Sequence, residues 1–275
     1  MLDRLNETAG LSVQGRSITN LVYADDIDVL AESRQVLQQK VNVIHSDARA
    51  AGLEINVRKT KSMVLGEASQ HVNQQLEIDN TLVEEVNEFE YLGSLITSNG
   101  DCRRDVIRRI GKAHGVFARL TSIWKSSAIT LSRKVQMLQI CVFSVLLYAS
   151  ETWTLRKEEE RRLRAFEMRC YRSILNIRWF HRVTNEEIRR RIRTNSDIVQ
   201  TVKRRKLGLF GHICRMSSQR LIKDVLIGVV EGNNRRGRPK KSWIDDIKEW
   251  TNLSLPQLYR SAQSRREWRA IVNSS

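Results

Sequence analysis

Hydrophobic and polar residues alternate in short segments over the first hundred residues, which is the pattern of half-buried β-strands. Leu11–Arg16 predicts a short strand and turn, and Ser17–Tyr23 leads into an Asp25-Asp26 pair. Ile27–Ala31 is hydrophobic again and predicts the returning strand of a hairpin. Further extended segments are predicted at Leu53–Val57, Lys61–Leu65, Leu76–Val83 and Phe89–Ile96, before an Asn99-Gly100 turn.

One helix is predicted within this alternating region. Ser33 is a favoured N-cap residue, and the hydrophobic positions after it recur three and four residues apart. Gly52 stands where a glycine commonly ends a helix, so the helix is predicted to run to about Ala51.

After Gly100 the hydrophobic period becomes helical, as in Val106, Ile110, Ala113 and Phe117. Further helices are predicted at Lys134–Tyr148, Glu158–Leu175, from the capping sequence Thr184-Asn185-Glu186-Glu187, at Asp197–Gly208 and in a Trp-rich stretch at the end. The sequence therefore predicts an α+β fold, in which strands and a helix form the first hundred residues and helices form the rest. Its predicted domains are residues 1–98, 99–155 and 156–275.

Charge is distributed unevenly along the 275 residues, whose formal net charge is +16. Residues 1–100 contain 8 Lys/Arg and 15 Asp/Glu, whereas residues 101–275 contain 39 and 16, for net charges of −7 and +23. A basic excess of this size indicates a polyanionic partner, first of all nucleic acid, with an anionic membrane surface as the weaker alternative.

Cysteine usage indicates an intracellular protein, because the four cysteines are too widely and irregularly spaced for a disulfide framework. His181, His212 and Cys214 lack the paired cysteines of a zinc knuckle, so no zinc is predicted. No secretory signal or membrane span is recognisable. We expect an intracellular and nuclear protein without a membrane partner.

The Asp25-Asp26 pair carries the clearest chemistry in the sequence. Two adjacent carboxylates inside a hydrophobic run are costly to bury unless a cation neutralises them. At the tip of a hairpin such a pair can hold Mg²⁺, and two metal ions can clamp the attacking and leaving oxygens of a phosphoryl displacement. The alternative is a turn capped by aspartate side chains.

Three blocks in order, LVYADDIDVLAES, GLEINVRKTKSMVLG and FEYLGSLIT, resemble the metal hairpin, substrate-site strand and primer grip of a reverse transcriptase palm. The later blocks LLYASETWTL, AFEMRCYRSILNI, RVTNEEIRRR, GHICRM and RRGRPKKSWIDDI resemble the C-terminal half of endonuclease–reverse transcriptases of LINE-type (non-LTR) retrotransposons. The resemblance implies a partial palm over residues 1–98, a helical thumb-like region and a basic helical C-terminal region. It also implies RNA-directed DNA polymerase activity on an RNA or DNA template–primer, with Mg²⁺ and no small-molecule cofactor beyond the dNTP.

Carried over residue by residue, the resemblance makes Asp25 and Asp26 catalytic metal ligands. Lys59 matches the lysine near the leaving pyrophosphate, where a cation stabilises developing charge; a solvated lysine is the alternative. Tyr91-Leu92-Gly93 matches the primer grip, whose alternative is an ordinary strand end. Asp28 departs from the family, which has an apolar residue there.

A complete enzyme of this kind has a third metal-binding carboxylate, from an earlier palm strand, and a fingers region. In the family both precede the hairpin, and only 24 residues precede Asp25 here. We therefore expect residues 1–275 to be inactive alone. A basic nucleic-acid-binding protein without polymerase activity is the alternative function.

Two basic clusters are predicted to bind nucleic acid. The first is Lys203, Arg204, Arg205 and Lys206 on a predicted helix, for which a solvated face is the alternative. The second resembles an AT-hook, a slim extended segment that fits the narrow minor groove of A·T tracts, and comprises Arg235, Arg236, Arg238, Lys240 and Lys241. A nuclear localisation signal or a general phosphate clamp is the alternative for this second cluster.

Overall fold

The computed structural model describes residues 10–66, 75–194, 197–227 and 240–274. The chain has an α+β fold and divides into two compact units. Unit 1 comprises Met1–Gly100 and Ser217–Pro239, and unit 2 comprises Asp101–Met216 and Lys240–Ser275. The names palm, thumb and C-terminal region, with the predicted limits at residues 98 and 155, stay predictions.

Unit 1 is built from short strands that pair two at a time. The strands are β1 (Leu11–Val13), β2 (Arg16–Ile18), β3 (Asn20–Tyr23), β4 (Asp26–Val29), β5 (Lys61–Ser62), β6 (Glu77–Ile78), β7 (Thr81–Leu82), β8 (Glu84–Glu85), β9 (Glu88–Tyr91) and β10 (Ser94–Thr97). Four pairs are antiparallel hairpins of consecutive strands, and β5 pairs with β8 in parallel. The strands of the described residues thus form local pairs rather than one continuous sheet.

The helix α1 (Arg34–Ala50) of unit 1 begins and ends where its sequence indicates. The Ser33 hydroxyl accepts a hydrogen bond from the Val36 amide at 3.3 Å, and Gly52 follows with a φ of 75°. Its buried face includes Val41, which packs in a small cluster with Leu76, Ile78 and Val83.

The predicted extended segments of unit 1 need three corrections. Residues 53–57 form no strand, because the chain after Gly52 runs into a turn in which the Lys59 and Thr60 amides both donate to the Asn56 carbonyl. Leu76–Val83 is a hairpin, β6–β7, because Asp79 and Asn80 both adopt positive φ. Phe89–Ile96 is likewise interrupted by a tight turn, between β9 and β10.

Unit 1 also contains the helix α9 (Leu221–Ile227). The Arg16 guanidinium donates to the Gln219 carbonyl at 2.8 Å and lies 3.2 Å from an Asp224 carboxylate oxygen. These contacts attach a segment that is remote in sequence to the β1–β2 hairpin.

The regular elements of unit 2 in its described residues are all helical. Its helices are α2 (Arg103–Arg119), α3 (Thr121–Lys125), α4 (Leu131–Met137), α5 (Ser144–Leu146), α6 (Lys157–Ile174), α7 (Asn185–Ile192), α8 (Ile198–Cys214), α10 (Trp243–Thr251), α11 (Leu255–Gln263) and α12 (Arg265–Ser274). A π-helical stretch, Leu138–Phe143, joins α4 to α5, so the predicted helix is continuous but locally wider. Thr184, in the predicted capping sequence, accepts an amide hydrogen bond from the first turn of its helix. Asp197, the first residue of the next predicted helical segment, does the same for α8.

Among the described residues, a cluster of 22 buried residues lies between the helices on both sides of residue 155, which therefore share this core. Large side chains such as Trp153, Leu163 and Tyr171 are at most 2% exposed within it. None of the helices in the described ranges is both long and apolar enough to cross a membrane.

Candidate metal-binding hairpin and basic residues

The Asp25-Asp26 pair lies at the tip of the β3–β4 hairpin, as the sequence predicts. Tyr23 pairs with Asp26, so Ala24 and Asp25 form a two-residue turn. Ala24 adopts a φ of 53°, the left-handed conformation that such tight turns use at their first central position. The turn directs the chain back so that Asp25 occupies the turn and Asp26 begins β4.

The hairpin is exposed along most of its length. Asp25 and Asp26 are both exposed, and Leu21, Val22 and Tyr23 are 43%, 46% and 62% exposed. The base of the hairpin is held by the buried Lys40, whose ammonium group donates to the Leu30 carbonyl at 2.7 Å. The two carboxylates are therefore open to solvent and to a ligand.

Asp28 lies on the same face of β4 as Asp26, because side chains alternate along a strand. Its carboxylate accepts a hydrogen bond from the Tyr91 hydroxyl of β9. Burial raises the pKa of Asp28, and the neighbouring charge of Asp26 raises it further, while the Tyr91 hydrogen bond lowers it. Asp28 thus links the β3–β4 hairpin, the predicted metal site, to Tyr91 of the predicted primer grip.

The predicted primer grip forms the turn between β9 and β10. Tyr91 pairs with Ser94, so Leu92 and Gly93 are the central residues, with φ values of 45° and 80°. Positive φ is easy for glycine but costs a leucine about 1–2 kcal/mol. This strained turn is exposed at Leu92, and it places Tyr91 beside the hairpin.

Lys59 is exposed in the turn after Val57. Its amide donates to the Asn56 carbonyl and side-chain oxygen at 3.0 and 3.2 Å, so the backbone of the turn is fixed. Its ammonium group makes no hydrogen bond or ion pair with the Asp25-Asp26 turn within residues 10–66. Within this range the structure therefore does not bring the Lys59 ammonium group into contact with these carboxylates.

The carboxylates fit Mg²⁺ by ligand type but not by number. Exposed carboxylate oxygens are the hard ligands that this ion prefers. Over the described part of the chain, however, no group of three or more His, Cys, Asp or Glu residues lies close enough together to hold a metal ion.

The first basic cluster does not form one solvent-facing surface. Arg204 is exposed on α8, and Lys203 lies over the Trp250 ring, 5.3 Å from its centroid. The exposed Arg205 donates to the Leu147 carbonyl at 2.5 Å. Lys206 is fully buried and therefore faces the protein interior.

Lys206 is part of a buried polar network that the sequence does not reveal. Its ammonium group donates to Asp246 at 2.6 Å and to the Trp153 carbonyl at 2.7 Å, and lies 4.7 Å from the centre of the Trp243 ring. Burial lowers the pKa of Lys206 to about 8, against the opposing charge of Asp246. A role for Lys206 in nucleic-acid binding does not fit this position, because no phosphate can reach it.

The second basic cluster is described only at its end, because Arg235, Arg236 and Arg238 lie outside the described residues. Lys240 is exposed. Lys241 lies 2.7 Å from both Asp246 and Glu249 and donates to the Leu155 carbonyl at 3.0 Å. Lys241 thus stabilises unit 2, which leaves it less available to a phosphate than the prediction supposed.

Sequence reasoning missed the pairing of Lys206 with Asp246, 40 residues apart. The Trp-Ile-Asp-Asp sequence could have indicated that Asp246 is buried, because Asp246 falls on the hydrophobic side of α10 next to the buried Ile247. Sequence reasoning also treated Asp28 only as an anomaly, although the two-residue spacing from Asp26 already placed both carboxylates on one strand face.

This chain is similar to a reverse transcriptase family model over its first part and to a transposon-derived protein over most of its length. Residues 1–96 match the family model described as reverse transcriptase (RNA-dependent DNA polymerase). A transposon-derived protein of Caenorhabditis elegans is 28% identical over 276 residues, and the match covers 95% of this chain and 98% of that protein. No solved structure matches.

Proposed function

We propose that this chain is the reverse transcriptase-like part of a LINE-type retrotransposon protein, with a partial palm in residues 1–98. The single observation that carries the proposal is the two-residue turn that exposes Asp25 and Asp26 at the tip of β3–β4. This hairpin lies within the residues that match the reverse transcriptase model.

In this proposal Asp25 and Asp26 supply two carboxylates of a Mg²⁺ site, and the remaining ligands come from outside the described residues. Bound Mg²⁺ would neutralise the charge that develops on the transferred phosphate. Tyr91 holds Asp28, which positions β4 against the β9–β10 turn. Lys59 is proposed as the cation near the leaving pyrophosphate, and Tyr91-Leu92-Gly93 as the primer-holding turn.

Metal binding at the hairpin can be tested directly with Mn²⁺ as a paramagnetic substitute for Mg²⁺. We expect Mn²⁺ to broaden the amide signals of residues 23–28, and excess Mg²⁺ to reverse the broadening. Asp25→Asn combined with Asp26→Asn should abolish it. The matched control is Asp79→Asn, which changes an exposed carboxylate of another turn in unit 1. Broadening that persists in the double variant would refute the metal assignment.

Polymerase activity of residues 1–275 alone is expected to be absent, because two carboxylates do not complete a two-metal site. The measurement is primer extension on RNA and DNA templates with Mg²⁺. Extension by the wild type that disappears in Asp25→Ala would show that the site is complete after all. That result would keep the family assignment but overturn the proposed inactivity.

A second candidate function is non-catalytic nucleic-acid binding, and the charge of +23 on residues 101–275 favours it. Binding driven by phosphate contacts releases counterions and must weaken as salt rises, with a slope of about −0.9 per neutralised phosphate on duplex DNA. A fluorescence-anisotropy titration of duplex DNA at several salt concentrations measures this slope. An affinity that does not change with salt would contradict this function.

A further inference from the structure

Two aromatic side chains of unit 2 project into solvent instead of packing in its core. Trp179 is 90% exposed and Phe180 is 53% exposed, whereas Trp124, Trp153 and Trp268 are at most 3% exposed. Trp179 is therefore the clear exception among these four tryptophans. The exposed segment between α6 and α7, residues 178–182, is called the Trp179 loop below.

The Trp179 loop has a defined conformation. The Arg178 amide donates to the His181 Nδ1 atom at 3.1 Å, and the His181 amide donates back to the Arg178 carbonyl at 3.1 Å. Arg182 closes the turn with a φ of 50°. The aromatic rings lie edge to face, with 6.0 Å between Trp179 and Phe180 and 4.5 Å between Phe180 and His181.

The base of the loop is fixed to the neighbouring helices as well. The Arg172 guanidinium of α6 donates to the Val183 carbonyl at 3.3 Å and to the Asn185 side chain at 2.7 Å. Because backbone and base are both held, the exposed rings are presented in place, and ordering them on binding costs little conformational entropy.

The sequence that flanks the rings is strongly basic. Residues 169–194 contain eight arginines and two glutamates. Arg190 and Arg191 both pair with Glu187 at 2.7 Å. Arg178 and Arg182, which flank the rings, are exposed and make no ion pair within residues 75–194 and 197–227.

We propose that the Trp179 loop is a binding site for single-stranded nucleic acid, with Trp179 and Phe180 stacking on bases and Arg178 and Arg182 contacting phosphates. Exposed rings between unpaired cations match the stacked bases and the charged backbone of a polynucleotide. A membrane surface would also attract arginines, but the rings are carried by one tight turn and not by a long amphipathic helix. The inference deepens the nucleic-acid binding proposed above and does not depend on the metal hairpin.

The test compares base-dependent with charge-dependent binding in the full chain. Fluorescein-labelled oligo-dT and oligo-rU report base-dependent binding by anisotropy, and heparin reports the binding of a polyanion that has no bases. Trp179→Ala should weaken oligonucleotide binding about 5- to 150-fold, the usual loss for one stacked base, and leave heparin binding unchanged. Trp179→Phe should restore most of the affinity, because it keeps a stacking surface.

Substitution of Arg178 and Arg182 should affect binding differently from substitution of Trp179. Arg178→Gln with Arg182→Gln should weaken binding to both polyanions and reduce the salt slope by about 0.7 per lost contact on a single strand. Ile140→Ala is the matched control for an exposed apolar side chain of unit 2, since Ile140 is 64% exposed. Arg161→Gln is the control for an exposed arginine, which here is already paired with Glu158 at 2.9 Å.

Several outcomes would overturn the inference. If Trp179→Ala binds oligonucleotides as the wild type does, the loop is not the site, although nucleic-acid binding elsewhere still stands. If the wild type binds duplex DNA but neither oligonucleotide, the loop proposal fails and the nucleic-acid binding proposed above stands; if it binds none of the three, both proposals fail. If Trp179→Ala instead loses binding to anionic phospholipid vesicles and keeps oligonucleotide binding, the loop is a membrane contact.

Discussion

Unit 1 and unit 2 differ in how their elements are stabilised. In unit 2 a cluster of 22 buried residues is shared by helices of up to 18 residues, so each long helix buries a whole face. Among the described residues of unit 1, the cluster beneath α1 contains four buried residues, and the strands are two to four residues long. Short strands that pair two at a time cannot cover one another, so hydrophobic side chains such as Val22 stay exposed.

The two units also differ in whether their charged side chains are buried or exposed. In unit 2 the charged residues Lys206 and Asp246 are fully buried and neutralise each other inside the core. In unit 1 the carboxylates Asp25 and Asp26 are exposed at a turn, where a ligand can reach them. We therefore expect substitutions of polar groups to be costly for stability in unit 2 and nearly neutral at the hairpin tip of unit 1.

The largest effect is expected for Asp246→Ala in unit 2. Removing this carboxylate leaves the Lys206 ammonium group buried without its ion partner, which typically costs about 3–5 kcal/mol. Urea unfolding followed by far-UV circular dichroism measures the change in the free energy of unfolding.

The matched control for this prediction is Asp245→Ala at the neighbouring position. Asp245 is 42% exposed and caps α10 by accepting hydrogen bonds from Ser242, so its loss should cost about 1 kcal/mol. Replacing both partners, by Lys206→Met with Asp246→Leu, should recover most of the stability, because no charge then stays buried alone. Equal costs for Asp246→Ala and Asp245→Ala would show that the buried pair is unimportant.

A smaller loss is expected for Gly211→Ala in α8. A Cβ atom there would overlap the ring of Trp268, which is 3% exposed and whose Nε1 donates to the Leu207 carbonyl at 2.8 Å. Moving a buried ring costs about 1–3 kcal/mol, measured in the same urea titration.

Gly208→Ala, one turn earlier in α8, is the control for helix propensity. A Cβ atom at Gly208 meets nothing within 4 Å, so the alanine should stabilise the helix by about 0.5–1 kcal/mol. The two substitutions are chemically identical and should have opposite signs. The same sign for both would contradict the tight packing inferred for unit 2.

The smallest effect is expected for Tyr91→Phe in unit 1. The change removes the hydroxyl that donates to Asp28 and should cost about 0.5–1.5 kcal/mol locally. Hydrogen exchange of the β4 amides should become faster, while the amides of α6 should keep their protection. Asp28→Asn retains an acceptor for Tyr91 and is the control. Equal losses of protection in β4 and α6 would mean that the two units do not unfold separately.

Local signals in the sequence predicted the parts of the fold that depend on neighbouring residues. Ser33 and Thr184 cap helices as expected, because an N-cap needs only a side-chain oxygen and an amide three residues later. Gly52 adopts positive φ, and the Asp25-Asp26 pair lies at a hairpin tip. The strand predicted at Leu53–Val57 was wrong, because alternation alone does not provide a pairing partner.

The sequence by itself determined the α+β class, the helix caps and the turn that exposes Asp25 and Asp26. Only the tertiary structure decided which charged residues are available to a ligand. Lys206 and Arg204 are close in one basic run, yet Lys206 is buried against Asp246 and Arg204 is exposed. Trp179 and Trp153 likewise look alike in sequence, but one is exposed and the other is in the core. Burial depends on contacts between distant segments, and no pattern of neighbouring residues contains that information.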